Sequence, residues 1–351
     1  MALKQDIRFC TSADGVKIAT TSTGTGMPIV RAGTWLSHLE CDAIHEEPQA
    51  YIRALSKGFS YVRYDSRGCG LSDRKIPPLS FKDSVNDLEA VVASHNLKRF
   101  ALLGLSMGAA TSIAYAVRHP EQVSHLILCG GFASSVFSTP NVSQQAIDEA
   151  ELVIKSAEIG WNNSKSAFRK LFVGRLLGNP TPEQQRELEE RMQLSMTPEM
   201  AVAYLRNNFS MNVRDLCTQV KTPTLVFHCR KDETINFEQG RKLASLIPGA
   251  HFVALEAQGH ILLSTEPAMK VFEAEFRTFL GSSESAPQLT PRQVEVLQAV
   301  AHGQTDKEVA KALHLSPRTV EMHMSGAMKA LGCATRTEAV HRAGSLGLLD
   351  T

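Results

Sequence analysis

Phe100-Ala-Leu-Leu-Gly-Leu-Ser106-Met-Gly-Ala-Ala-Thr-Ser-Ile-Ala-Tyr-Ala-Val-Arg118 decides how most of this chain is read. The apolar run Phe100-Ala-Leu-Leu-Gly104 is short enough for a buried strand, and the alanine-rich stretch from Ala109 to Arg118 follows a helical pattern. Gly104-Leu105-Ser106-Met107-Gly108 therefore places a GxSxG sequence at a strand-to-helix turn. Glycines there allow close backbone approach, and the tight turn lifts the Ser106 hydroxyl out at the carboxyl end of a sheet.

Outward from this turn, further apolar runs read as buried strands: Pro28–Ala32, Ser60–Tyr64, Leu126–Cys129, Thr224–His228 and His251–Leu255. Helical patterns such as Ser84–His95 lie between them. Such alternation predicts an α/β fold with a mostly parallel sheet and helices on both faces. From about 134 to 216 the alternation stops and the sequence turns helix-like, which predicts a helical cap over one edge of the sheet. Its Trp161, Phe168, Phe172, Met192, Met196, Met200, Phe209 and Met211 are expected mostly to pack the cap's own core, with a few lining a pocket.

A serine hydroxyl is a weak nucleophile and needs a base, which in turn needs an orienting acid. Asp232 follows the strand ending at His228, and His260 follows the next strand, so Ser106, Asp232 and His260 are the candidate triad, with Glu233 and Glu256 as alternative acids. The N–H of Met107 and that of Thr34, in Arg31-Ala-Gly-Thr-Trp35, are the candidate oxyanion donors.

Residues from about 10 to 280 resemble the α/β-hydrolase superfamily in its esterase, lactonase and carbon–carbon hydrolase branch. Asp65-Ser-Arg-Gly-Cys-Gly-Leu-Ser72 matches that branch's DxRGxGxS turn, which implies a scaffold role for Asp65 and Arg67. The chain carries Ala32-Gly33 where the family commonly has His-Gly, and its serine nucleophile sets it apart from dehalogenase and epoxide hydrolase members, which use aspartate. The resemblance implies neither metal nor organic cofactor.

Gly281-Ser-Ser-Glu-Ser-Ala-Pro-Gln288 reads as a linker, leaving 1–280 and 289–351 as two domains. In the second, Thr290-Pro291 caps and starts a helix that ends at Gly303. Thr305-Asp-Lys-Glu308 is a capping box, and Ser316-Pro317 starts a third helix after a short turn at His314-Leu315. Val309, Ala310, Leu313, Leu315, Val320 and Ala327 are the expected core. The third helix, about Pro317 to Leu331, is placed to enter a DNA major groove. Arg318, Thr319, Glu321 and Met322 are its candidate base readers, and His323, Lys329 and Arg336 its candidate backbone contacts. Between Lys311 and Arg342, five basic residues (Lys311, Arg318, Lys329, Arg336, Arg342) outnumber Glu321 and Glu338, which suits phosphates. Residues 287–349 resemble the LuxR-type (GerE-like) helix-turn-helix family along their length, through LTPRQVEVL, TDKEVAKAL, LSPRTVEMHMSGAMKALG and ATRTEAV. Asp306 stands where that family often has asparagine, and Glu321 where it often has lysine. The resemblance of Arg336–Leu346 to the family's dimerisation helix implies a homodimer on an inverted repeat of double-stranded DNA.

Across all 351 residues, 37 basic and 36 acidic side chains nearly cancel, so DNA contact must come from a local surface. Seven scattered cysteines form no CxxC pair and point to a reducing compartment without a zinc site. No apolar signal core or membrane-length run is present, and the expected location is the cytoplasm. These readings combine into a transcription regulator that senses, and could hydrolyse, a small, fairly apolar ester- or lactone-type metabolite. The alternatives are a working serine hydrolase with an accessory DNA-binding domain and a ligand-independent DNA binder.

Overall fold

The apolar runs become the centre of an eight-stranded sheet. A computed structural model describes residues 3–163, 167–281, 289–331, 333, 335–345 and 349. Its strands are β1 (Arg8–Thr11), β2 (Lys17–Thr23), β3 (Met27–Arg31), β4 (Phe59–Tyr64), β5 (Phe100–Leu105), β6 (Val123–Cys129), β7 (Thr224–Cys229) and β8 (His251–Leu255). They lie in the order β1-β2-β4-β3-β5-β6-β7-β8. Pairing is antiparallel for β1 with β2 and β2 with β4, and parallel from there to β8.

Helices cover both faces: α1 (Leu39–Ile44), α2 (Glu46–Ser56), α3 (Phe81–Ser94), α4 (Gly108–Arg118), α5 (Gln144–Gly160), α6 (Ala167–Leu177), α7 (Pro182–Ser195), α8 (Pro198–Phe209), α9 (Arg214–Cys217), α10 (Phe237–Leu246) and α11 (Ala268–Phe279). Along β5, Phe100 and Leu102 enter one core layer with Ile113 of α4, while Ala101 and Leu103 enter the opposite layer with Phe272 and Phe276 of α11. Burial of alternate residues on both faces is why the central strands read as continuous apolar runs rather than alternating ones.

The helical excursion leaves and rejoins the sheet at one point. Ser134 and Asn212 form an antiparallel bridge, flanked by Val213 N–H to Ala133 O at 2.7 Å and Ser135 N–H to Met211 O at 2.8 Å. Between these ends lie α5 to α8. Trp161, Met192, Met196 and Met211 are buried there, and Phe168, Phe172, Met200 and Phe209 pack against the same core.

The chain divides into two compact units, Met1–Leu280 and Gly281–Thr351. The second unit holds α12 (Pro291–Ala301), α13 (Asp306–Ala312), α14 (Pro317–Leu331) and α15 (Arg336–Ser345). Thr290 with Gln293 and Thr305 with Glu308 form capping boxes, and Ser316 Oγ accepts the Thr319 N–H at 3.1 Å. Val309, Ala310, Val320 and Ala327 are buried in this unit's own core, with Leu313 and Leu315 packed against it. His314 makes the turn between α13 and α14 with φ of 54°. Residues 282–288 of the expected linker and Leu346 of the expected last helix lie outside the described residues. No described helix is long and apolar enough to cross a membrane.

Candidate functional site

Ser106 sits where β5 ends and α4 begins, with φ of 50°, in the left-handed region that costs a non-glycine residue on the order of 1–3 kcal/mol. Its N–H is fixed by Cys129 O at 2.8 Å, so the neighbouring strand holds the turn. Side chains at the flanking glycines would break this geometry. A Cβ on Gly104 would stand 2.7 Å from Ala109 Cα, and one on Gly108 3.2 Å from Ala32 O. The second contact brings the Ala32-Gly33-Thr34 loop against the start of α4.

Asp232 lies in the loop after β7 and is fully enclosed. Its Oδ1 accepts the N–H groups of Thr234 and Ile235, each at 2.8 Å, and His260 Nδ1 bonds its Oδ2 at 2.6 Å. A second imidazole meets the same carboxylate: His228, at the end of β7, donates from Nε2 to Ile235 O at 2.8 Å and stands 3.4 Å from Asp232 Oδ2. Burial alone would raise the Asp232 pKa, but the hydrogen bonds from His228 and His260 and the nearby His260 charge outweigh it and hold the acid well below the usual carboxylate range. His228 was missed by the sequence reading because a histidine inside an apolar strand looks like ordinary core. The helix backbone at Gly240 closes over its ring, where a Cβ would approach Nδ1 to 2.2 Å.

Ser106 and His260 both line a cavity of about 220 Å³, as does Thr34. Met107 is buried beneath it at the start of α4. Among the described residues, neither the Thr34 N–H nor the Met107 N–H donates to an acceptor of the chain. Two backbone donors left without protein partners beside a nucleophile suit an oxyanion site. Glu233 and Glu256 are not in this arrangement: Arg230 binds Glu256 at 2.5 Å on the surface, and neither acid lines the cavity. The cap reaches the cavity through Leu176, Leu177, Gln184, Glu187, Leu188 and Arg191, and none of its eight aromatic and methionine residues named above does so. That part of the expectation is corrected: those side chains pack into a core shared by the cap and one face of the sheet, and Trp35, Tyr51 and Tyr61 of the sheet domain supply the aromatic wall, with the Trp35 ring 5.6 Å from Phe172.

Asp65 and Arg67 are scaffold groups. Asp65 accepts the N–H groups of Leu39 and Leu71, and the buried Arg67 guanidinium grips both oxygens of Asp87 at 2.8 and 2.7 Å.

In the second unit, Arg318, Glu321, Met322 and Lys329 are exposed on α14, with Thr319 and His323 partly so. Thr319 Oγ1 lies 2.8 Å from Ser316 Oγ, so this hydroxyl serves the helix cap as well as facing outward. Arg336 is already engaged: its two terminal nitrogens bind both oxygens of Asp306, at 2.7 and 2.8 Å.

Residues 42–267 match the family model described as alpha/beta hydrolase fold, and residues 287–343 match that of the bacterial regulatory proteins of the luxR family. The chain is 25% identical over 268 residues to the AB hydrolase superfamily protein YisY of Bacillus subtilis, covering 72% of this chain and 91% of the relative. Among solved structures, an esterase from Exiguobacterium antarcticum superposes with a TM-score of 0.67 at 23% identity, over 78% of this chain and 99% of the other. An enol-lactonase from Burkholderia xenovorans LB400 does so with a TM-score of 0.63 at 22% identity, over 78% and 100%.

Proposed function

Because the chain belongs to the α/β-hydrolase fold family and carries a C-terminal domain of the luxR regulatory family, we propose that it is a cytoplasmic transcription regulator. Its hydrolase-fold domain senses, and through Ser106 can hydrolyse, a small ester- or lactone-type metabolite. One observation carries the reading: a cavity with a serine on a strained elbow and a histidine bound to a buried aspartate occurs in one polypeptide with a luxR-family domain whose helix α14 exposes Arg318, Glu321, Met322 and Lys329. The esterase and lactonase among the similar structures support the ligand class. An occupied cavity changes DNA binding only if the ligand has different affinities for two arrangements of the protein. The chain acts as a homodimer, and its target is an inverted repeat of double-stranded DNA.

The test is selection of genomic fragments by the purified full chain at near-physiological salt, followed by sequencing. Enrichment of an inverted repeat is expected. Uniform recovery of all fragments, both alone and with an ester and lactone panel present, refutes the regulator.

A second reading, a working serine hydrolase with an accessory DNA-binding domain, is favoured by the 2.6 Å bond between His260 and Asp232, which a receptor does not need. If the chain turns over esters, Ser106→Ala removes both turnover and labelling by an activated phosphonate. Efficient turnover combined with no sequence-selective DNA binding selects this reading.

A further inference from the structure

Every residue of β7 is buried, and alternation along the strand puts His228 on the same face as Val226, against α10. Packing alone does not ask for a histidine there. A leucine would fill most of the space, whereas an imidazole buries two polar nitrogens, which is costly unless they are bonded. Among the described residues, His228 Nδ1 has no hydrogen-bond partner. Helix α10 admits the ring only because residue 240 is glycine, since a Cβ there would stand 2.2 Å from Nδ1. The cost is offset at Nε2, which lies 2.8 Å from Ile235 O and 3.4 Å from Asp232 Oδ2. A proton on Nδ1 would have no acceptor, whereas one on Nε2 has two oxygens before it, so the geometry assigns it to Nε2.

Asp232 depends on such donors more than a surface acid would. Among the described residues no lysine or arginine pairs with it, so its buried charge is balanced by hydrogen-bonding groups and imidazoles alone. An ionised carboxylate offers about four lone-pair sites. The N–H groups of Thr234 and Ile235 meet Oδ1 at 2.8 Å each, and His260 Nδ1 meets Oδ2 at 2.6 Å. His228 is the fourth donor, facing Oδ2. It also fastens the loop from its far end, because Ile235, which gives its N–H to Oδ1, gives its C=O to His228. Carboxylate, Ile235 and imidazole thus form a closed ring. His228 itself does not line the cavity.

We propose that His228 is a positioning residue of this site: without touching the ligand, it fixes the Asp232 carboxylate, through Ile235 and at Oδ2, where that carboxylate receives the His260 Nδ1 proton. The inference rests on the reading that Ser106, Asp232 and His260 act together on an ester. It makes the orientation of the base depend on two imidazoles rather than one.

The test compares His228→Leu, which removes the donor, with His228→Gln, whose amide nitrogen reaches the place of Nε2. With 4-nitrophenyl butyrate, kcat in His228→Leu is expected to fall by about 10- to 100-fold, the effect of a small misplacement of the base, with KM little changed. His228→Gln is expected to recover most of that loss. A wild-type kcat in His228→Leu, or equal losses in the two variants, overturns the proposal. Nuclear magnetic resonance of the full chain with 15N-labelled histidine keeps the question open to decision if the leucine variant does not fold or if wild type cleaves no ester. In wild type, His228 is expected as the Nε2–H tautomer and the His260 Nδ1 proton at low field, the mark of a short bond to a carboxylate. That low-field proton should persist in His228→Gln and be lost or moved upfield in His228→Leu. Such a pattern upholds the positioning role even without turnover, in which case the hydrolase reading alone fails. An Nδ1–H tautomer at His228 in wild type, or a His260 proton indifferent to both substitutions, overturns it.

Discussion

His260 meets Asp232 through Nδ1 at 2.6 Å, while the other oxygen of Asp232 is fixed by two backbone N–H groups. The carboxylate therefore cannot rotate away, and the imidazole it holds lines the cavity with Ser106. Asp232→Asn keeps the shape but offers an amide where the acceptor stood, which favours the wrong tautomer. Cleavage of 4-nitrophenyl butyrate is expected to fall by about 10²–10⁴-fold in kcat, with KM little changed and thermal unfolding close to wild type. A kcat within threefold of wild type means that Asp232 does not orient the base.

The GxSxG turn and the strands around it were legible because a doubly covered parallel sheet writes itself as apolar runs, and the helix caps of the second unit because capping needs particular residues at fixed spacing. The antiparallel strands β1 and β2 were not. Lys17-Ile-Ala-Thr-Thr-Ser-Thr23 is polar and threonine-rich, and its place is set by antiparallel pairing with Tyr61–Tyr64 rather than by an apolar signal. The grouping of Arg31, Arg63 and Arg191 around Asp42 was equally hidden. Asp42 and Arg191 are far apart in sequence, and nothing in the local pattern of either says that a fold will bring them within 2.7 Å.

Asp42 and Asp65 impose opposite pH dependences on the first unit. Burial would raise the Asp42 pKa, but Arg191, Arg31 and Arg63 outweigh it and hold it at about 2 against an ordinary 3.8, so its contribution is present above pH 3.8 and lost as pH falls toward 2. Burial raises Asp65 from 3.8 to about 6, and the bonds from Leu71 and Leu39 only partly offset it. Its contribution is complete below pH 3.8 and disappears as pH rises through 6, a loss on the order of 3 kcal/mol. Asp65→Asn does not ionise and should lack that decline. Both tryptophans belong to this unit, so urea unfolding followed by their fluorescence at pH 4.5 and 7 reports it. Wild type is expected to lose more stability than the variant between those pH values, and equal losses refute the assignment.

Lys329 and Thr319 lie on the same helix, α14, with different expected duties. Lys329 near its end suits a phosphate, whereas Thr319 in its first turn suits a base edge. Lys329→Ala should weaken binding to every sequence and reduce the salt slope by about one. Thr319→Ala should leave that slope unchanged and alter which operator variants are preferred. A salt slope unmoved by Lys329→Ala means that α14 does not dock as proposed.

Asp306 holds Arg336 by two bonds, joining the start of α13 to the start of α15. The hydrogen bond from Arg336 is the main cause that keeps the Asp306 carboxyl below its ordinary pKa. Both side chains are about a third exposed, 31% for Asp306 and 41% for Arg336, so water and salt screen the pair and its net stabilisation should be below about 1 kcal/mol. Its larger effect is expected on DNA binding, because an arginine facing a carboxylate is neutralised toward phosphate, and a carboxylate repels a duplex. Asp306→Asn removes the charge while keeping one acceptor oxygen for Arg336. The midpoint of thermal unfolding should shift by only a few degrees. Affinity for DNA of any sequence should rise several-fold at low salt, with a salt slope steeper by about one. If affinity and slope both stay at the wild-type values, Arg336 lies off the phosphate path and belongs to the folding of the helical unit alone.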